Sequence, residues 1–180
     1  MSAAEFNPSE VRYIKLGRNS QYAKQAFEDG VLLLSHRSVP HELCSAGAWE
    51  QVRDDQLATG EGGANVTRKI NELRAFYELE DDALRITFAN GHLYWCFASG
   101  PVEAYPVVND DDPRRLRRTR DGWHRTSLAG EALTTRSLSS SLTKVANYRQ
   151  TICAVKPVEY LLRRIRGDFD PLHQQADKLR

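Results

Sequence analysis

Cysteine is scarce in this sequence, and what there is does not pair. Cys44, Cys96 and Cys153 are far apart, odd in number and form no CxxC motif, which argues against a zinc ribbon, a dithiol redox motif and a disulfide framework. Each sits among apolar neighbours, so they are expected to be reduced, core-filling thiols, as in a cytoplasmic protein. No apolar run approaches the ~20 residues that span a bilayer, and no membrane partner is expected. Met1 to Glu10 lacks the basic-then-apolar order of a signal peptide and reads as a flexible lead-in over residues 1–10. The glycine-rich stretch Thr59 to Asn65 has no Gly-Lys-Ser/Thr, so it is not a phosphate loop. There is no Gly-x-Ser-x-Gly nucleophile elbow, no internal repeat and no low-complexity segment. These gaps leave no catalytic residue, metal site or cofactor to expect.

What remains is an ordinary globular composition, 180 residues with 41% hydrophobic and 27% charged, enough for one domain with its own core. That domain is expected over residues 11–167, with a polar tail over 168–180. The net charge of +1 hides a split. Residues 1–113 carry ten Lys or Arg against eighteen Asp or Glu, net −8, and residues 114–180 carry fifteen against six, net +9. Such asymmetry points to an anionic partner, or else to two halves that attract each other across the fold.

The apolar pattern gives the element order. Val11 to Leu16 alternates as a strand, Gly17 breaks it, and Asn19 or Ser20 is placed to cap a helix over Gln21 to Asp29 that Gly30 ends. Val31 to Leu34 is a continuous apolar run, hence a buried strand. A strand–helix–strand opening favours two neighbouring strands. Helices are expected over Ala48 to Leu57 and over Val66 to Leu79. Asn90-Gly91 between two aromatic-rich runs predicts a hairpin over Ala83 to Ala98. A strand over Val102 to Val108, an acidic loop at Asn109 to Pro113, and a turn at Asp121-Gly122-Trp123 between two short strands follow. Helices near Leu142 to Val155 and at Val158 to Arg166 close the domain.

The opening resembles the PUA-like superfamily, in particular its EVE and YTH branches. Those domains begin with a strand bearing an Ile-Lys pair, here Ile14-Lys15, then a short helix, here through Tyr22 and Phe27. An apolar strand follows and runs into a Ser/Thr loop, here Gly30-Val31 to Leu34 and Ser35. The resemblance covers residues 11–100. It implies an α+β fold with a PUA-like mixed sheet or small barrel, flanking helices and a C-terminal helical pair. It also implies a nucleic-acid reader that admits a modified or flipped base, the kind of domain that in bacteria serves restriction, modification and RNA metabolism. One departure stands out. YTH domains place a cage tryptophan in the second strand, where this chain has Leu32 and Leu33.

The candidate base-binding residues are the aromatics Trp49, Tyr94, Trp95 and Trp123, which could stack on a base or simply pack the core. By analogy with the family, Lys15, Asn19 and Ser35 would sit beside them. Arg114, Arg115, Arg117, Arg118 and Arg120, with Arg163, Arg164 and Arg166, are the candidate phosphate ligands, because guanidinium suits phosphate; a charged, protected strand edge is the other explanation. His36 and His41 lie in a loop, and Asp110 to Asp112 form an acidic run. These would serve a small metal-dependent nuclease or nucleotide hydrolase, the main alternative to a binder. A protein-interaction module, and a place in a homo-oligomer or larger complex, stay open.

Overall fold

The computed structural model describes residues 1–168; the expected tail beyond Asp168 lies outside the described residues. Six strands form one mixed sheet: β1 (Val11–Ile14), β2 (Val31–Leu34), β3 (Leu84–Ala89), β4 (His92–Ala104), β5 (Arg115–His124) and β6 (Ile152–Ala154), in the order β2-β5-β4-β3-β1-β6. Only β1 and β3 are parallel. The helices are α1 (Ala23–Asp29), α2 (His41–Ser45), α3 (Trp49–Ala58), α4 (Gly63–Glu78), α5 (Ser140–Thr143) and α6 (Val158–Arg166). The chain is therefore α+β. Its sheet is open, with β2 and β6 as free ends, so the closed-barrel form of the expectation is corrected.

Strand alternation sorts side chains onto two faces. Val11, Tyr13, Leu84, Ile86, Leu93, Trp95 and Phe97 meet Leu161, Leu162 and Ile165 of α6. Ile14, Leu32, Leu34, Cys96, Ala98 and Val102 meet Val66, Ile70, Leu73 and Phe76, the apolar stripe of α4. Val31 and Leu33 pack under Ala23 and Ala26 of α1. All three cysteines are buried and free, and no described helix is long and apolar enough to cross a membrane.

Several expectations change. β1 and β2 are not neighbours, because β3 and β6 already occupy both hydrogen-bonding edges of β1. Asn19 and Ser20 do not cap α1; both adopt positive φ within a 3-10 turn over Arg18–Ser20, and Tyr22 precedes the helix. The expected helix over Leu142 to Val155 is instead α5, a 3-10 turn over Lys144–Asn147, and β6. Ile152, Cys153 and Ala154 pair with Ile14, Tyr13 and Arg12, so sheet pairing overrides their helical spacing. The C-terminal helical pair is thus a single long helix, α6, preceded by short turns. Residues 1–10 are not a free lead-in, since the Phe6 ring is fully buried.

The basic stretch goes inward at alternate positions. Arg117 is 5% exposed. It donates through Nη1 to the carbonyls of Phe76 (3.0 Å) and Leu79 (2.8 Å), through Nε to Gly100 O (2.9 Å), and through Nη2 to Asp81 Oδ1 (2.9 Å). Arg85 of β3, equally buried, donates to Leu79 O (3.0 Å), Glu80 O (2.9 Å) and Ala83 O (2.7 Å). Two strand arginines thus cap the C-terminus of α4, where orphan carbonyls carry the negative end of the helix dipole. Burial pushes Arg85 down to about 10, with Arg117 adding repulsion, so Arg85 remains a cation at neutral pH. Arg118, in contrast, points out and forms an exposed ion pair with Glu103 at 3.1 Å. Changing Arg117 to Ala should cost about 2–3 kcal/mol, because it takes the donor from the buried Phe76 carbonyl and from Gly100 O, while its half-exposed partner Asp81 adds little. Arg118→Ala should cost less than about 1 kcal/mol. Urea unfolding of the two variants checks the contrast, and similar midpoints would refute it.

Candidate nucleic-acid interface

β4 and β5 are out of step twice, and this positions the surface of interest. Trp95 pairs with His124 and Phe97 with Arg120, so two steps along β4 match four along β5. The extra residues, Asp121 and Gly122, take φ of 63° and 77°. Aspartate tolerates that region better than most side chains, and glycine occupies it freely. What reads locally as a turn between two strands is a bulge inside one strand. A compensating irregularity lies in β4, between Ala98 and Val102, and aims Gly100 O at Arg117.

The bulge leaves Arg120 and His124 on the same face as Trp95 and Phe97. Those rings and Phe6 form a buried triad, with centroids 5.5 Å apart for Phe6–Trp95, 5.9 Å for Phe6–Phe97 and 6.3 Å for Trp95–Phe97, all edge-to-face. Three side chains cover it from outside. The His124 imidazole stacks on Trp95 at 4.4 Å, the Arg120 guanidinium lies 4.8 Å over Phe97, and that of Arg166 lies 5.8 Å over Phe6. Arg166 also donates to Phe6 O (3.1 Å), and Trp95 Nε1 donates to Thr126 O (2.9 Å). Arg163, one turn earlier on α6, is exposed. Among the described residues, no carboxylate lies within ion-pair distance of Arg120, Arg163 or Arg166.

The structure does not bring the four proposed base-stacking rings together. Trp95 belongs to the triad. Tyr94 lies on the opposite face, stacked on Phe27 at 3.9 Å, and Trp123 meets the same phenylalanine edge-on at 5.6 Å while its Nε1 donates to Val31 O. Phe27 thus fills the place beside both rings. Trp49 is distant from these, with its Nε1 on Glu78 Oε1 (2.6 Å) and its ring edge on Tyr77.

The proposed phosphate ligands separate as well. Arg115, 1% exposed, donates through Nη2 to Val39 O (2.6 Å) and lies beside Tyr77; burial lowers its pKa. Arg114 donates to the carbonyls of Asn109, Asp110 and Asp112. Arg164 is buried, with Ser137 Oγ as one partner. With Arg117 inside and Arg118 paired, two of the eight, Arg120 and Arg166, lie over the triad, and Arg163 is exposed on α6 one turn before Arg166. Phe6 and His124 complete that surface. Phe6 carried no sequence signal, being one aromatic in a polar segment, and His124 was visible only as a histidine near aromatics.

The other polar groups hold the fold together. Glu72, 4% exposed, accepts the Thr151 amide (2.7 Å) and contacts His36 Nε2 at 2.9 Å, off the line of a hydrogen bond. Lys15 donates to Tyr148 O, and its amide donates to Thr151 O. Glu72 therefore links His36 to Thr151, and through Thr151 to Lys15. Asn19 is exposed beyond β1, and Ser35 is half-buried beyond β2. His41, expected in a loop, instead opens α2 and shares a hydrogen bond with the Tyr77 hydroxyl (2.8 Å). Asp112 accepts the amides of Asn109 and Val108, which hold its carboxyl below the usual range, while Asp110 and Asp111 lend backbone carbonyls to Arg114 and Tyr22.

No family model matches the chain, and no curated protein matches its sequence.

Burial holds His124 below the ordinary imidazole value of 6.5; the N-terminal amine adds to the effect and Asp121 opposes it. The unfolded chain therefore takes up that proton more readily than the native one. The associated stability is full above the unfolded value and is lost as pH falls through the depressed native value. The urea midpoint of the wild type should drop between about pH 7.5 and about pH 5 by more than that of His124→Gln. Equal drops would show that His124 gains nothing from its burial.

Proposed function

We propose that this protein is a nucleic-acid-binding module whose backbone grip is the arginine-covered surface over Phe6, Trp95 and Phe97. The observation that carries the reading is the way Arg120 and Arg166 are held. Each is placed by a ring face, an attraction of about 0.5–1 kcal/mol at exposed sites. A carboxylate would fix a guanidinium equally well, but it would cancel the charge. Here the position is set and the charge is kept, which suits a phosphate backbone. The excess charge of residues 114–180 acts in the same direction.

The PUA-like resemblance, and with it the reading of a modified or flipped base, belongs to the same proposal, as does a cytoplasmic location. The link from His36 through Glu72 and Thr151 to Lys15 supports it, because a base pocket at the ends of β1 and β2 needs those two edges tied to one another.

A salt titration of binding to single-stranded and duplex oligonucleotides tests the grip. Log affinity should fall linearly with log salt, and changing Arg120 and Arg163 together to Ala should flatten that slope by about 0.7–0.9 per lost phosphate contact. Binding that ignores salt, or that survives the double change undiminished, would remove the reading.

A further inference from the structure

We infer that this surface selects single strands over duplexes by stacking bases on the outer sides of Arg120 and His124, an inference that rests on the nucleic-acid reading above. Both side chains lie over core rings: the His124 imidazole is stacked on Trp95, 3% exposed, and the Arg120 guanidinium lies over Phe97, 4% exposed. Sealed inner rings set where the outer groups lie, so little ordering is left to pay for when a base arrives. Arg120 is exposed and His124 half-buried. Guanidinium and imidazole planes are both groups on which unpaired bases stack.

The geometry of the two platforms excludes a duplex. Their supporting rings are 6.3 Å apart and inclined at 81°, whereas bases stacked along one strand of a duplex are parallel and about 3.4 Å apart. Two bases can cover both platforms only if they are parted from one another, as in a single strand. A duplex presents base edges and phosphates here, and it would engage the arginines by charge alone. Since every base has a π-face, the preference follows strandedness and tolerates sequence. The Asp121–Gly122 bulge makes this possible, because in a regular β5 Gly122 rather than His124 would stand opposite Trp95.

The test is fluorescence anisotropy with the full chain near pH 7.5 and at fixed low salt. The probes are a labelled oligothymidylate, its oligouridylate counterpart, an abasic strand with the same phosphates, and a duplex. Either base-bearing strand should bind on the order of tenfold or more tighter than the abasic strand, and tighter than the duplex. Arg120→Lys with His124→Ala keeps the arginine charge and removes both planes. It should lose more affinity for the base-bearing strands than for the abasic strand, so that the base-bearing advantage, the ratio between them, falls toward one. Arg120→Lys alone, at an exposed position, should lose part of that advantage and keeps the test valid where the double variant melts early. Equal wild-type affinity for abasic and base-bearing strands would overturn the stacking inference and leave the phosphate grip standing. No salt-sensitive binding to any of the four probes would overturn the grip itself.

Discussion

The C-terminus of α4 is where this fold commits its cations. A sixteen-residue helix ends there against the sheet, and its last carbonyls, cut off from water, need donors. Arg85 from β3 and Arg117 from β5 both reach Leu79 O and between them take Phe76, Glu80 and Ala83. Arginine suits this role because a planar fork of donors serves several carbonyls at once. The two strands are spaced by β4, so the shared acceptor fixes α4 across the width of the sheet. The irregularity at Gly100 belongs to the same brace, since it supplies a further carbonyl to Arg117.

A second, smaller brace works further back along α4, at Glu72. Glu72 ties the backbone before β6 and the turn after β2 to the same helix, so two segments with no pairing between them are held by one buried carboxylate. His36 takes a positive φ of 45° at that contact. Such strain persists where the surroundings over-determine it, and here Arg115 also donates weakly to His36 O (3.4 Å) while Glu72 meets its ring.

Legibility in the sequence followed the range of the interaction. The hairpin was plain because Asn90-Gly91 dictates its own turn, with φ of 51° and 73°. α4 was plain because its stripe repeats over four turns, and α6 because Pro157 and Gly167 bracket it. β6 was not, since three apolar residues are consistent with a strand or with a helix segment until a partner strand chooses. The bulge at Asp121-Gly122 carries the same dipeptide chemistry as a turn, and only the cross-strand register separates the two. The arginines could be counted but not sorted, because alternation along β5 predicts two faces without saying which one a helix terminus will cover. Of the candidate site, then, the residue types were legible and their division between core and surface was not.

That division changes what the charge asymmetry means. Arg115 and Arg117 contribute to the +9 of the second half, yet they spend their donors on backbone from the first half, at Val39, Phe76, Leu79 and Gly100. Part of the split is therefore internal electrostatics, as the attraction between halves would have it. Arg120, Arg163 and Arg166 are different, for nothing acidic among the described residues meets them. An exposed cation over a ring keeps most of its hydration and all of its field, so its main effect is on whatever anion approaches. The two explanations of the asymmetry are not rivals. They apply to different arginines: alternation along β5 turns Arg115 and Arg117 inward and leaves Arg120 outside, and α6 carries Arg163 and Arg166.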